Sequence, residues 1–205
     1  IESGIWLPEN YENRYYGDVT LKEAFAKSLN SVAVQLAQKL DKNDIATMAE
    51  RLGITSKIDN DDPTIILGTT QVSLYELVTA YATIANDGKP VIPFAISEIK
   101  NGKGDSLYSH SSSGFEPIVS EESIEHIKEV MRAVVESGTG KNANIADNIY
   151  GKTGTSQNFR DAWFIGFDDE FVVGVWIGND DNSKTNNITG GSLPASLFAE
   201  IMKKI

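Results

Sequence analysis

The sequence lacks cysteine altogether: none occurs among its 205 residues. This absence excludes a disulfide framework, a thiolate metal site and a cysteine nucleophile. Histidine is scarce, with two residues, and basic residues are outnumbered by acidic ones, 18 against 29. The resulting net charge of −11 disfavours nucleic acid and phospholipid surfaces as partners, because both present negative phosphates.

Long apolar runs are also lacking. No stretch approaches the roughly 20 apolar residues of a membrane-spanning helix, and no basic start followed by an apolar run indicates a signal peptide. The composition, 40% hydrophobic and 23% charged, is that of a globular protein that can bury a sizeable core. The chain begins with Ile1 rather than methionine, so we expect it to be part of a longer protein.

The first half of the chain carries helix signals. Thr20 with Glu23, and Ser73 with Glu76, have the spacing of a capping box, in which each side chain bonds the other residue's backbone amide. Asp44 is the expected N-cap of a further helix. This part of the chain is therefore predicted to be mainly helical.

The second half carries strand signals around one long helix. Apolar and aromatic runs at 162–167 and 171–177 predict strands, and Trp163 and Trp176 are expected to pack between sheet and helices. We predict one partial domain over 1–205. Its parts are a mainly helical region at about 1–88 and 120–138, a hairpin and loop at 89–119, and strands with a C-terminal helix at 150–205. The hairpin is expected to pair a strand at 91–96 with one at 106–108 across the Gly-rich turn 101–104.

Two short motifs contain residues suited to chemistry. Ser28 and Asn30 flank a predicted break between two helices, where a hydroxyl and an amide can face one cleft. The run 152–155 begins a predicted strand and offers an ammonium, two hydroxyls on one face and an open glycine backbone, which together suit an anion. Taken alone, the first motif also fits a surface turn and the second an ordinary strand start.

The order and setting of these motifs resemble the transpeptidase domain of a class A (bifunctional) penicillin-binding protein. Penicillin-binding proteins combine a Ser-x-Asn element with a K-T-G strand. The resemblance extends over nearly the whole chain. It rests on the segments 8–11, 20–25, 28–30, 68–69, 72–77, 80–88, 138–140, 151–156, 161–167, 174–178 and 190–191.

The resemblance implies a penicillin-binding/β-lactamase-like α/β fold, with an antiparallel sheet flanked by helices and a mainly helical subdomain. It also implies acyl transfer from peptidoglycan stem peptides ending in D-Ala-D-Ala, and β-lactam binding. No metal or other cofactor is implied. The expected location is the outer face of the bacterial cytoplasmic membrane.

The resemblance also assigns roles to individual residues. Ser28 would relay a proton near the leaving group, and Asn30 would bind the substrate's amide carbonyl. Lys152 would supply positive potential for the terminal carboxylate. Thr153 and Thr155 would bind that carboxylate through charge-assisted hydrogen bonds. Gly154 would leave the strand open to the ligand, and the Thr155 amide would form half of an oxyanion hole.

The chain departs from the family at the nucleophile. The family's S-x-x-K motif precedes the Ser-x-Asn element on a helix, where the lysine can activate the serine. Here only Ser97 has a lysine three residues on, Lys100, and both lie in the predicted hairpin. Residues three apart on a strand point to opposite faces, so this pair is not expected to be catalytic.

We therefore expect the chain to lack the nucleophile helix and to be inactive alone. The family's glycosyltransferase domain and membrane anchor would lie further upstream. Without that helix, exposed apolar surface should lead to self-association, a rearranged cleft or poor order around residues 1–31. Two alternatives remain open: a serine β-lactamase-type hydrolase, and a non-catalytic module that binds peptidoglycan or a protein.

Metal binding has little support in the sequence. His110 and His126 are isolated from acidic partners and are expected to be structural or solvated. The acidic runs 59–62 and 179–182 lack the glycine and the distal glutamate of a calcium-binding EF-hand loop. They are expected to be solvated turns.

Overall fold

The computed structural model describes residues 8–62, 64–111 and 114–205 of the chain. Residues 1–7 of the predicted region at about 1–88 lie outside the described residues. In the described ranges the helices are α1 (Leu21–Ala26), α2 (Asn30–Ala37), α3 (Lys42–Arg51), α4 (Leu74–Ala85), α5 (Glu121–Glu136) and α6 (Leu193–Met202). The strands are β1 (Glu98–Lys100), β2 (Ser106–Ser109), β3 (Tyr150–Thr155), β4 (Asp161–Phe167) and β5 (Val172–Gly178). Within these ranges no helix combines the length and apolarity that a membrane crossing requires.

Both predicted capping boxes are confirmed. Thr20 accepts from the Glu23 amide before α1, and Ser73 accepts from the Glu76 amide before α4. Each glutamate returns a bond to the amide of its cap residue. These exchanges satisfy amides at the helix start that have no partner within the helix, and so fix where α1 and α4 begin.

The predicted cap of α3 is wrong by three residues. Asp41, not Asp44, is the N-cap, because its carboxylate accepts from the Asn43 amide at 2.8 Å. Asp44 lies in the first turn of α3, where its negative charge complements the positive end of the helix dipole.

The predicted hairpin exists, but its first strand is displaced. Strand β1 begins at Glu98 and pairs with β2, whereas residues 91–96 are not strand. Pro93 interrupts that run, because proline has no amide hydrogen for the strand ladder. Asn101 then closes the turn through its amide, which donates to the Asp105 carbonyl at 2.9 Å.

The central sheet is antiparallel, in the order β3-β4-β5. Helices α5 and α6 cover the face that carries Phe164, whose ring lies 4.8 Å from that of Phe198. Helix α4 packs on the opposite face, close to Gly174. Burial of one such phenylalanine stabilises the fold by roughly 2 kcal/mol. The α/β prediction, a sheet with helices on its faces, is confirmed.

The exposure of Trp176 differs from expectation. Trp163 and Trp176 are opposite each other in the β4–β5 register, with ring centroids 6.0 Å apart. Trp176 is 37% exposed, and its indole nitrogen donates to Asp161 at 3.1 Å. Trp176 is therefore not enclosed between the sheet and a helix, because more than a third of its surface remains open to solvent.

Candidate active site

Ser28 lies immediately after α1 in a left-handed backbone conformation, with φ of 53°. The Ser28 amide donates to the Phe25 carbonyl, and the Leu29 amide donates to the Ala24 carbonyl at 2.9 Å. This is the Schellman helix ending, in which glycine is the usual residue at the position of Ser28. A non-glycine residue in this conformation costs on the order of 1 kcal/mol, because its Cβ crowds the backbone. Ser28 therefore occupies a strained position.

Lys152 of β3 reaches across to this serine. Its ammonium donates to Ser28 Oγ at 2.7 Å and to the Thr153 carbonyl at 3.0 Å. The Phe25 ring centroid lies 5.6 Å from the same nitrogen. Because Ser28 Oγ accepts from Lys152, the Ser28 hydroxyl hydrogen is available to another acceptor.

Burial changes the acidity of this lysine. It lowers the pKa of Lys152 from its ordinary 10.5 to about 8, because the charged ammonium loses solvation. At neutral pH the side chain still carries its proton. The site therefore combines a positive charge with a proton that is more easily lost than that of a surface lysine.

The two threonines of β3 lie on one face of the strand, as the alternation predicts. Thr153 is opposite Phe164 and Thr155 is opposite Ala162 in the β3–β4 register. The Thr155 hydroxyl oxygen accepts from the Gly190 amide at 3.0 Å. Since no acceptor for its hydrogen lies in the part of the chain that the structure describes, this hydrogen can be donated to an anion.

The Thr155 backbone amide points away from the sheet. The neighbouring Ser156 amide donates to the Asp161 carbonyl of β4 at 2.9 Å. Backbone groups of successive residues point to opposite sides of a strand, so the Thr155 amide faces the outer edge of β3. Gly154 lies between the threonines without a side chain over this edge, which suits a hydrogen bond to a developing oxyanion.

Asn30 begins α2 and lies close to Ser28, but its side chain is partly engaged. Its amide nitrogen donates to the Glu9 carbonyl at 2.9 Å. Within the described residues, one amide hydrogen and the side-chain oxygen are left for a ligand. The structure thus unites Ser28 with Lys152 directly, and keeps Asn30 at the start of the adjoining helix.

Sequence reasoning missed a third threonine at this site. Thr139 Oγ1 lies 2.6 Å from Thr153 Oγ1, and the Thr139 amide donates to the Ala26 carbonyl at 3.0 Å. A Cβ on the preceding Gly138 would overlap the Ala26 carbonyl, so only glycine allows this approach. In the sequence, the feature that could have indicated Thr139 is the Gly-Thr-Gly run directly after a long helix.

The excluded serine–lysine pair has no catalytic geometry. Lys100 pairs with Glu98 at 2.7 Å, and Ser97 precedes β1, where its carbonyl accepts from the His110 amide. The His110 ring stacks on Phe94 with centroids 3.8 Å apart. Among the described residues, no group of three or more His, Asp or Glu side chains is arranged for a metal ion.

Comparison with known proteins gives a consistent picture. A family model described as the penicillin binding protein transpeptidase domain matches residues 2–203. Penicillin-binding protein 1A of Aquifex aeolicus is 34% identical over 204 residues, which are 98% of this chain and 27% of that protein. Penicillin-binding protein 4 of Bacillus subtilis is 35% identical over 179 residues, 85% of this chain and 28% of that protein. The chain thus spans about a quarter of the length of these curated relatives.

Solved structures agree at the level of the fold. Penicillin-binding protein 1A from Haemophilus influenzae matches 97% of this chain and 36% of its own, with a TM-score of 0.85 at 21% identity. PonA1 from Mycobacterium tuberculosis, in complex with penicillin V, matches 95% of this chain and 58% of its own, with a TM-score of 0.82 at 23% identity. The chain therefore has the fold of these penicillin-binding transpeptidases.

Proposed function

The chain belongs to the transpeptidase domain family of the class A penicillin-binding proteins, and from this premise we propose that it forms the substrate-binding part of a serine D,D-transpeptidase. In this reaction a serine attacks the penultimate D-Ala carbonyl of a peptidoglycan stem peptide, and the terminal D-Ala leaves. An amine of a neighbouring stem then attacks the acyl-enzyme, which restores the serine and forms the cross-link. β-Lactams bind as mimics of the D-Ala-D-Ala end.

The contact between Ser28 and Lys152 is the observation that supports this function. These residues are 124 positions apart in sequence, yet Lys152 Nζ donates to Ser28 Oγ at 2.7 Å. The bond leaves the Ser28 hydroxyl hydrogen free for the leaving amine, as a proton relay requires. As Ser28 gives its hydrogen to the leaving amine, Lys152 passes a proton to Ser28 Oγ along the existing hydrogen bond, and Lys152 is then reprotonated from solvent.

The substrate's terminal carboxylate is assigned to the edge of β3. Lys152 supplies positive charge, and the Thr153 and Thr155 hydroxyls donate charge-assisted hydrogen bonds. The Thr155 amide stabilises the developing oxyanion, a contribution on the order of 3 kcal/mol for one such donor. Asn30 donates its remaining amide hydrogen to the substrate's amide carbonyl.

The nucleophile is assigned to a segment outside this chain. Lys100, of the single Ser-x-x-Lys pattern here, is paired with Glu98 on a strand and is unsuited to activate Ser97. We place the serine and its lysine upstream of this chain in the full-length protein. The glycosyltransferase domain and the membrane anchor are assigned to the same upstream part, and the transpeptidase to the outer face of the cytoplasmic membrane.

A mass measurement tests the proposal. The 205-residue chain and the full-length protein are each incubated with a fluorescent penicillin, and the intact mass is recorded over time. We expect no covalent adduct on the chain and a stable adduct on the full-length protein, on a serine of an upstream Ser-x-x-Lys motif.

Other results would contradict this function in distinct ways. An adduct on the short chain would overturn the assignment of the nucleophile. Rapid loss of the adduct from the full-length protein would favour a β-lactamase-type hydrolase. A full-length protein that binds stem peptides but never acylates would favour a non-catalytic binding module.

A further inference from the structure

Among the described residues, the Thr153 hydroxyl is hydrogen-bonded to the side chain of Thr139. The two hydroxyl oxygens lie 2.6 Å apart, which is a short hydrogen bond between neutral groups. Thr153 is 9% exposed, so its hydroxyl has little access to water. The orientation of the Thr153 hydroxyl hydrogen therefore depends on Thr139.

The backbone of Thr139 is fixed from two sides. Its amide donates to the Ala26 carbonyl, at the end of the helix that precedes Ser28. Its carbonyl lies against Gly191, where any Cβ would overlap it. Thr139 thus joins the helix end that presents Ser28 to the strand edge that presents Thr153, and its side chain has little freedom to move away.

The direction of the Thr139–Thr153 bond follows from what an anion requires. An ionised carboxylate only accepts hydrogen bonds, so a threonine that binds it must direct its own hydrogen to the ligand. The oxygen of that threonine is then available to accept a bond from elsewhere. Thr155 already shows this arrangement, because its oxygen accepts from the Gly190 amide. At Thr153 the corresponding donor is the Thr139 hydroxyl.

We propose that Thr139 is a positioning residue for carboxylate recognition, whose hydroxyl donates to Thr153 Oγ1 and so directs the Thr153 hydrogen to the substrate's terminal carboxylate. This inference rests on the proposed function. Thr139 also polarises the Thr153 hydroxyl, because a hydroxyl that accepts a hydrogen bond becomes a better donor.

The test compares two ligands that differ only in the carboxylate. Acylation rate constants of the full-length protein are measured with benzylpenicillin and with its methyl ester, and their ratio gives the carboxylate preference. We expect Thr139→Val to lower this ratio about 3- to 10-fold, the usual effect of losing one hydrogen bond. Thr139→Ser, which retains the hydroxyl, should keep the ratio of the wild type.

Two further variants isolate the effect. Ser137→Ala is the matched control, because its hydroxyl bonds only the Ala133 carbonyl of its own helix in the described structure; its ratio should equal that of the wild type. Thr153→Val should lower the ratio, and adding Thr139→Val to it should lower the ratio no further, because both act through one hydroxyl. Thermal unfolding is measured for each variant, and Thr139→Ala replaces Thr139→Val if the latter does not fold.

The outcomes separate this inference from the function on which it rests. If the acid and the ester slow equally in Thr139→Val, the residue is structural and the inference is wrong, while the function stands. Additive effects of Thr139→Val and Thr153→Val would also overturn it. A wild-type protein that neither ligand acylates would overturn the proposed function and the inference with it.

Discussion

Lys152 illustrates how burial alters a residue that looks ordinary in sequence. Its pKa of about 8 lies well below that of an exposed lysine, because the ammonium is desolvated beside β3. The charge is present below pH 8 and disappears as the pH rises through that value. From about pH 8 to 10.5 the unfolded chain binds more protons at this residue than the folded chain does, so this residue's contribution to stability increases with pH.

We predict that acylation of the full-length protein by benzylpenicillin slows above about pH 8. The reason is that neutral Lys152 no longer attracts the ligand's carboxylate. The rate constant is measured from pH 6 to 10 and compared with that of Lys152→Arg, whose charge persists throughout this range. The arginine variant should be slower overall, because the Ser28 contact changes, but its profile should stay flat through pH 8. A fall at pH 8 in both proteins would assign the titration to another group.

At the scale of elements, Glu76 joins helix α4 to the turn that follows α3. Its carboxylate accepts from the backbone amides and the hydroxyls of Ser73, Thr55 and Ser56, at 2.7–2.9 Å. These bonds, led by that of the Ser73 amide, hold the pKa of Glu76 far below its ordinary range. One side chain thus fixes both the start of α4 and the path of the chain that leads to it.

We predict that Glu76→Gln lowers the Tm by on the order of 5–10 °C at pH 7. The amide group of glutamine is itself a donor, so it cannot accept the hydrogen bonds that the amides and hydroxyls around Glu76 donate to one carboxylate oxygen. Glu23→Gln is the matched control, since Glu23 occupies the same capping-box position before α1 but is exposed; its Tm should fall much less. The stabilisation by Glu76 is complete above the pKa of an unfolded glutamate, about 4.3. It declines as the pH falls from that value toward the much lower native pKa, so the Tm values of the wild type and of Glu76→Gln should begin to converge below about pH 4. Equal losses in the two variants at pH 7 would contradict this role.

At the scale of the whole molecule, exposed apolar side chains concentrate around the hairpin. Leu107, at 67% exposure, stands out among them. The others in this part of the chain are Ile92, Phe94, Ile96, Ile99, Tyr108 and Phe115. Neither face of the hairpin is buried among the described residues. An apolar surface of this kind promotes association when no partner covers it.

We predict that the isolated 205-residue chain self-associates at micromolar concentrations. Sedimentation velocity should give a weight-average mass that rises with concentration above the 22.3 kDa of one chain. The double variant Ile92→Lys/Leu107→Lys should lower the association, whereas Tyr75→Lys, an exposed position on α4, should not. A constant mass of one chain across the concentration range would contradict the prediction.

Much of the fold was predictable because its signals are local. A capping box needs residues only three positions apart, so Thr20 and Ser73 identified the starts of α1 and α4 directly. Strands β4 and β5 were predictable from their apolar runs, and β3 from the alternating threonines of the run 152–155. Errors arose where two local signals competed, as between Asp41 and Asp44, or where a proline interrupted an apolar run, as at 91–96.

The sequence by itself determined which residue types the site offers and which chemistry is excluded. The hydroxyls of Ser28, Thr153 and Thr155, the Lys152 ammonium and the absence of cysteine are all properties of the chain. Only the tertiary structure decided their distances, the shifted pKa of Lys152 and the role we propose for Thr139. The physical reason is that hydrogen bonds and desolvation act over a few ångströms, and packing alone brings together groups that lie 124 positions apart in the chain.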